Sequence, residues 1–193
     1  INSYVEHKNF RVVVLAHDED KILGEEFRDI KEKTFGQTIL VEPQIKRAFK
    51  HFLTEVQVEK SAKFIASYSA QIQNTFLRSK VKSLRILRHV VEDLARLHNA
   101  LSDNHQKNSE AMLELVHTFT AFGIEIRSGN LKETDLRNRR GTQMGYLMRA
   151  NRKGNEQLPK PPLVIANEKY SYIDLESGML SDDLLVATLI EGR

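Results

Sequence analysis

Phe10-Arg-Val-Val-Val-Leu-Ala-His17-Asp-Glu-Asp-Lys-Ile22 is the stretch on which the fold reading turns. Its apolar run, residues 12–16, is continuous rather than alternating, the pattern of a strand buried on both faces of a parallel sheet. A polar cluster, His17-Asp18-Glu19-Asp20, follows at the C-terminal end of that run. Open α/β sheets bind their ligands at that end of their strands. Only a short amphipathic segment, residues 1–9, precedes the run. A doubly buried strand needs neighbours on each side, so the sequence predicts a strand whose sheet is not contained in it.

Working outward, Gly24 precedes a charged, helix-like stretch over 25–35, and Gly36 stands where a left-handed C-cap is expected. Thr38-Ile-Leu-Val41 is β-prone, and Pro43 then opens a helix expected over 44–56, with Ile45, Ala48, Phe49, Phe52 and Leu53 on one face. A single helix is expected over 59–78, turning Phe64, Ile65, Tyr68, Ile72, Phe76 and Leu77 inward. Ser83 reads as the N-cap of a long helix to residue 101, striped by Leu84, Leu87, Val90, Val91, Leu94 and Leu97. Asn108 or Ser109 caps the next, over 110–127, carrying Met112, Leu115, Val116, Phe119 and Phe122. Residues 131–162 have little periodicity and close on Pro159-Lys-Pro-Pro162, so they read as an exposed excursion with a short helix near 143–150. An extended return is expected over 164–173, and Ser181 caps a final helix over 182–190.

The composition bounds the class. Hydrophobic residues make up 40% and charged residues 28%, which suits a globular protein rather than a disordered one. The net charge of +3 does not by itself call for a nucleic-acid partner. No cysteine is present, which removes disulfide frameworks and thiolate metal sites and fits a reducing cytoplasm. Apolar runs stop at about five residues, against roughly 20 for a membrane span, so no membrane association is expected. There is no G-x-x-x-x-G-K-[ST] motif for a P-loop, and Gly141-Thr-Gln-Met-Gly145 lacks the lysine. The seven histidines include no pair at i, i+4, and no metal site is expected.

The order of these elements resembles a known family. Val13-Val-Leu15-Ala-His17-Asp-Glu-Asp-Lys-Ile22 is similar to the strand V-x-L-x-N-E-E-K-I of AAA-like P-loop ATPases close to the KAP-type NTPases and related bacterial anti-phage ATPases. The helix Glu26-Phe-Arg-Asp-Ile-Lys-Glu-Lys-Thr-Phe-Gly36-Gln-Thr38 and the following Val41-Glu-Pro43 continue the likeness. Further on, Lys82-Ser-Leu-Arg85-Ile-Leu-Arg88-His-Val-Val-Glu-Asp93-Leu94 resembles the family's lid helix.

The resemblance implies a fold that is mainly α: a helical lid bundle preceded by one or two strands remaining from a P-loop α/β domain. It divides the chain into an ATPase-core remnant (1–43), a lid bundle (44–127) and a C-terminal extension (128–193). It implies a catalytic half outside these residues, a homo-oligomer, ATP and Mg²⁺ as ligands of the intact protein, no cofactor and no turnover for residues 1–193 alone, and a role in defence against phage. His17 falls at the sensor-1 position, where the family normally has Asn. Arg85 or Arg88 falls at the sensor-2 position, whose guanidinium reaches nucleotide phosphates. Arg28, Lys31 and Lys33 lie on the helix that faces a neighbouring subunit in AAA-type rings, where one would act in trans. Each of these cations has an ordinary alternative as part of a solvated helix face.

A second reading rests on charge alone. Between Arg127 and Lys160 nine basic residues stand against three acidic ones, a local excess of +6. Arg137, Arg139, Arg140, Arg149 and Arg152, with Tyr146 nearby, are candidates to track a phosphate backbone and stack on a base. On this view the chain is a non-catalytic helical module that binds nucleic acid or an effector protein. The remaining alternative is an insertion that contacts a neighbouring subunit or stays mobile.

Overall fold

The computed structural model describes residues 11–15, 37, 39–152 and 158–192. The chain divides into two compact units, Ile1–Glu42 and Pro43–Arg193. In the first, Arg11 to Leu15 form no regular structure and are exposed, Val13 at 84% and Leu15 at 92%. Ile39, Leu40 and Val41 are likewise irregular and exposed. No strand is present among the described residues. Ala16, His17 and the helix expected over 25–35, with Arg28, Lys31 and Lys33, lie outside them.

The second unit is helical, as its 3.6-residue periodicity predicts. Four helices lead up to its centre: α1 (Ile45–Glu55), α2 (Glu59–Ser67), α3 (Ser69–Ser79) and α4 (Leu84–Ala100). The helix expected as one piece over 59–78 is two. The backbone breaks at Tyr68 (φ −104°, ψ 16°), where its N–H turns back to the Ile65 carbonyl at 3.2 Å. The Ser67 hydroxyl also bonds the Phe64 carbonyl at 2.6 Å, giving the chain a local alternative to helix continuation. Ile65, Ile72 and Phe76 are fully buried as expected, whereas Leu77 is 58% exposed and outside the core.

The central helix is α5 (Ser109–Arg127), against which α3 and α4 pack. Asn108 caps it, its side-chain oxygen accepting from the N–H groups of Glu110 and Ala111 at 3.1 Å each. The first turns are amphipathic, with Met112, Leu115 and Val116 turned inward, but every residue from Thr118 to Glu125 is buried. A helix covered on all sides is the centre of its domain. Gly123 permits this closeness: a β-carbon there would sit 3.2 Å from the Val90 Cγ2 of α4. Around this centre, Phe49 of α1, Leu87, Val90, Val91, Leu94 and Leu97 of α4, and Phe119 and Phe122 of α5 form one core. Burying each such side chain contributes about 1.5–3 kcal/mol.

After Arg127 the chain stays anchored to this core at several points among the described residues. Short helices α6 (Glu133–Arg137), α7 (Thr142–Arg152), α8 (Pro162–Lys169) and α9 (Asp182–Leu189) follow, and α9 packs on α4, α5 and α6. Leu131 and Leu136 are buried, so the stretch expected as an exposed excursion is anchored. The extended return expected over 164–173 is instead α8: Pro162 occupies the first turn, where its fixed φ favours a helix and its missing N–H costs nothing. Leu163, Val164, Ala166 and Tyr170 then face the core. Ser181 caps α9 as expected, its hydroxyl accepting from Leu184 N–H at 3.2 Å.

Two buried polar clusters bind this C-terminal part to the bundle. Glu125 of α5 accepts from the Tyr170 hydroxyl at 2.6 Å, from Lys169 at 2.8 Å and from the Asn130 amide at 2.9 Å. Burial and the adjoining Glu125 carboxylate push the Tyr170 phenol far above its ordinary range, so it stays a donor at every physiological pH. The second cluster is built on Arg139, which is 0% exposed. Its guanidinium donates to Asp182 at 2.6 Å and to the carbonyls of Leu175, Ser177 and Leu180, and lies over the Phe122 ring.

Candidate functional site

A cleft of about 570 Å³ opens between the α1–α2 connection and the outer face of α4. It follows from the register of α4. Leu87, Val90, Val91, Leu94 and Leu97 commit one face of that helix to the core, which leaves Arg88, Glu92 and Arg96, spaced i, i+4, i+8, along the opposite face. Phe52, Val56 and Val58 supply an apolar wall from α1 and its connection, and Arg127 of α5 reaches the floor. Nine of its fourteen lining residues are polar or charged, so it is an open, charged groove with an apolar wall rather than an enclosed apolar cavity.

The charges of the cleft come in two sets. At one end, Arg88 Nε lies 3.2 Å from Glu55 and 3.1 Å from Glu92, and Glu92 also meets His89 Nδ1 at 3.1 Å. These side chains are all more than a third exposed, so each pair is worth at most a few tenths of a kcal/mol. At the other end, Asp93 is 3% exposed and ion-paired to both Arg96 and Arg127. Arg96 also donates to the Gly192 carbonyl at 2.9 Å, tying the cleft to the residues after α9. Burial pushes the Asp93 carboxyl above the ordinary range, against the opposing pull of its hydrogen bond from Arg96 and the charge of Arg127. Arg127 Nη1 is buried without a hydrogen-bond partner among the described residues. At this end, then, the Arg127 guanidinium is paired but not saturated.

The candidate residues divide sharply. Arg88 lines the cleft, whereas Arg85, one turn nearer the start of α4, is exposed and does not. Of the five basic candidates further on, Arg139 is removed from any surface role: it is an interior tie with its donors engaged by Asp182 and three carbonyls. Arg137 is exposed but paired with Glu133 at 2.7 Å and Asp183 at 3.0 Å. Arg140 and Arg149 are exposed, and Arg149 donates to the Gly145 carbonyl at 3.1 Å. Arg152 is the last residue of α7, and its side chain lies outside the described residues. His17, Arg28, Lys31 and Lys33 lie outside them too.

The Asp93–Arg127 floor was not singled out from the sequence. A signal existed: Asp93 interrupts the core stripe between Val91 and Leu94, and a charge there requires a partner from another element. Among the described residues no group of three or more His, Asp or Glu gathers as metal ligands, and no helix is long and apolar enough to cross a membrane. Comparisons of the chain with protein-family models, with curated proteins and with solved structures find no match in any of the three. Fold and cleft together define a helical module with a charged, partly apolar cleft.

Proposed function

We propose that the Pro43–Arg193 unit works as the helical lid of a cytoplasmic, oligomeric ATP-hydrolysing protein in bacterial antiviral defence, with the α1/α4 cleft turned to the nucleotide. The observation that supports this reading is the placement of Arg88 on the cleft, with Arg96 and Arg127 at its other end and an apolar wall from α1 and its connection. Arginine suits the task because its planar fork stays charged and matches phosphate oxygens two at a time. Arg88 is held by Glu55 and Glu92 in the described state, so a phosphate binds by displacing one of these carboxylates. The module's share is phosphate contact and closure. On this reading, phosphoryl transfer belongs to a catalytic half beyond the Pro43–Arg193 unit.

Equilibrium binding of a fluorescent ATP analogue with Mg²⁺ to the full chain tests the reading. Arg88→Ala weakens binding about tenfold, the scale of one charge-assisted hydrogen bond at a half-exposed site. Glu55→Gln tightens it by freeing Arg88, and Arg85→Ala changes it less than about twofold. Equal effects of Arg85→Ala and Arg88→Ala, or none from either, would remove the support.

A further inference from the structure

The positive charge of the chain is gathered on helices α1 to α4. Residues 43–100 hold eleven basic side chains against four acidic ones, an excess of +7 in a chain whose net charge is +3. The rest of the sequence is on balance acidic. All four acids of the segment are engaged: Glu55 and Glu92 hold Arg88, Glu59 holds Lys63 at 2.6 Å, and Asp93 is buried against Arg96 and Arg127. Lys46, Arg47, Lys50, Arg78, Lys80 and Arg85 are exposed, and none of them has an ion pair among the described residues. The 127–160 segment, basic by count, offers less, because Arg127, Arg137 and Lys160 are ion-paired and Arg139 is interior.

Two local patterns make this surface. Helix α1 turns Ile45, Phe49, Phe52 and Leu53 to the bundle, so Lys46, Arg47, Lys50 and His51, at i, i+1, i+4 and i+5, fall on its outward face. Helix α1 packs on both α3 and α4, and the turn that joins those two carries the other cations. Lys80 ends α3 in the left-handed region (φ 61°), its N–H closing on the Leu77 carbonyl at 3.2 Å. Glycine takes that conformation without the steric cost a β-carbon brings, yet a lysine stands there. Arg85 follows, exposed in the first turn of α4. An anionic membrane binds a helix through apolar residues that insert beside its cations, and a partner helix needs an apolar strip. The outward face of α1 presents Lys46, Arg47, Lys50, His51 and Thr54 and no such strip. A phosphate backbone needs only the track of cations.

We propose that the outward face of α1 and the α3–α4 turn bind the phosphate backbone of a nucleic acid, through Lys46, Arg47 and Lys50 on the helix and Lys80 and Arg85 at the turn. This stands apart from the nucleotide reading, since none of these five lines the cleft. The test uses the full chain and a fluorescein-labelled DNA of about 20 nucleotides, single-stranded and duplex, followed by anisotropy. At least one form is expected to bind, with affinity falling about a hundredfold between about 50 and 200 mM salt, the slope of about four phosphate contacts. Lys46→Glu/Lys50→Glu and Lys80→Glu/Arg85→Glu, all at exposed positions and checked for unchanged circular dichroism, each weaken binding about tenfold or more and flatten that slope. The charge-matched Arg140→Glu/Arg149→Glu changes it less than about threefold. The proposal is overturned if neither form binds, if affinity ignores salt, if either of the first two variants binds like the parent, or if the charge-matched variant weakens binding equally. It is equally overturned if phosphatidylserine vesicles or a polyglutamate peptide bind more tightly than the DNA.

Discussion

Removing the Asp93 carboxylate gives the sharpest energetic test of the bundle and the cleft together. Asp93 is 3% exposed and Arg127 19%, so both charges are largely out of water and each depends on the other for compensation. Breaking a buried pair from one side costs about 3–5 kcal/mol, because the remaining charge is stranded. Arg96 is 51% exposed and recovers most of its solvation when freed, so its share is only a few tenths of a kcal/mol. Asp93→Ala is therefore expected to cost about 3 kcal/mol, because the Arg127 guanidinium loses the partner of its Nη2 while its buried Nη1 already lacks one. Arg127→Met is expected to cost less, since the Asp93 carboxyl is already shifted toward its neutral form by burial and can take up a proton. The double variant Asp93→Leu/Arg127→Met returns to within about 1 kcal/mol of the parent, because well-packed apolar residues replace a buried pair at little cost. Urea unfolding followed by helix circular dichroism reads all three, with an unchanged denaturant slope as the check that only stability has moved. A single-variant loss below about 0.5 kcal/mol, or a double variant equal to the sum of the singles, refutes the account of a coupled buried pair.

The other predictions follow from separate parts of the fold. Burial, aided by Lys60, lowers the pKa of His98, and burial lowers that of His117. The unfolded chain therefore binds protons first as the pH falls below about 6.5, and stability is lost in that window. Asp93, shifted the other way, offsets part of the loss as the pH falls further toward the acid range. Unfolding midpoints at neutral pH and about one to two units below the histidine range check the sign, and a His98→Asn/His117→Asn variant shows a flatter profile. Arg139→Ala costs about 3 kcal/mol or more by freeing Asp182 and three carbonyls, and hydrogen exchange accelerates at Leu175 to Leu180 before the rest of the bundle. Phe76→Ala costs about 3–5 kcal/mol, whereas its exposed neighbour Leu77→Ala stays within about 0.5 kcal/mol.

The parts of the fold legible in the sequence are those where apolar periodicity is long and the caps are conventional. Helices α4 and α5 qualify by stripes that run for several turns; Asn108 caps α5 as its type predicts, whereas Ser83 stands before α4 without a side-chain capping bond. The break at Tyr68 was hidden because Ile65, Ile72 and Phe76 keep helical spacing across it, so the apolar pattern survives while the backbone turns. Helix α8 was hidden by the three prolines around its start, which read as the end of a loop although Pro162 is compatible with a first helical turn. Arg139 shows the limit of charge counting. In a run of basic residues, composition cannot separate a solvated arginine from one that closes a polar core, and only the carbonyls of Leu175, Ser177 and Leu180 make that distinction. Of Arg85 and Arg88, named together through the resemblance, Arg88 lines the cleft and Arg85 does not, while the Asp93–Arg127 floor joins residues from two elements that no local pattern connects.

The central claim is that the α1/α4 cleft receives a nucleotide through Arg88. A titration of the isotope-labelled full chain with Mg²⁺ and ATP, followed by the side-chain Nε–Hε signals of arginine, tests it most directly. The account predicts that the Arg88 and Arg96 signals shift and saturate together, with those of Arg85 and Arg149 unmoved, and that Glu55→Gln lowers the concentration needed. Unshifted Arg88 and Arg96 signals at saturating nucleotide, or an equal response from Arg85 and Arg149, would contradict it.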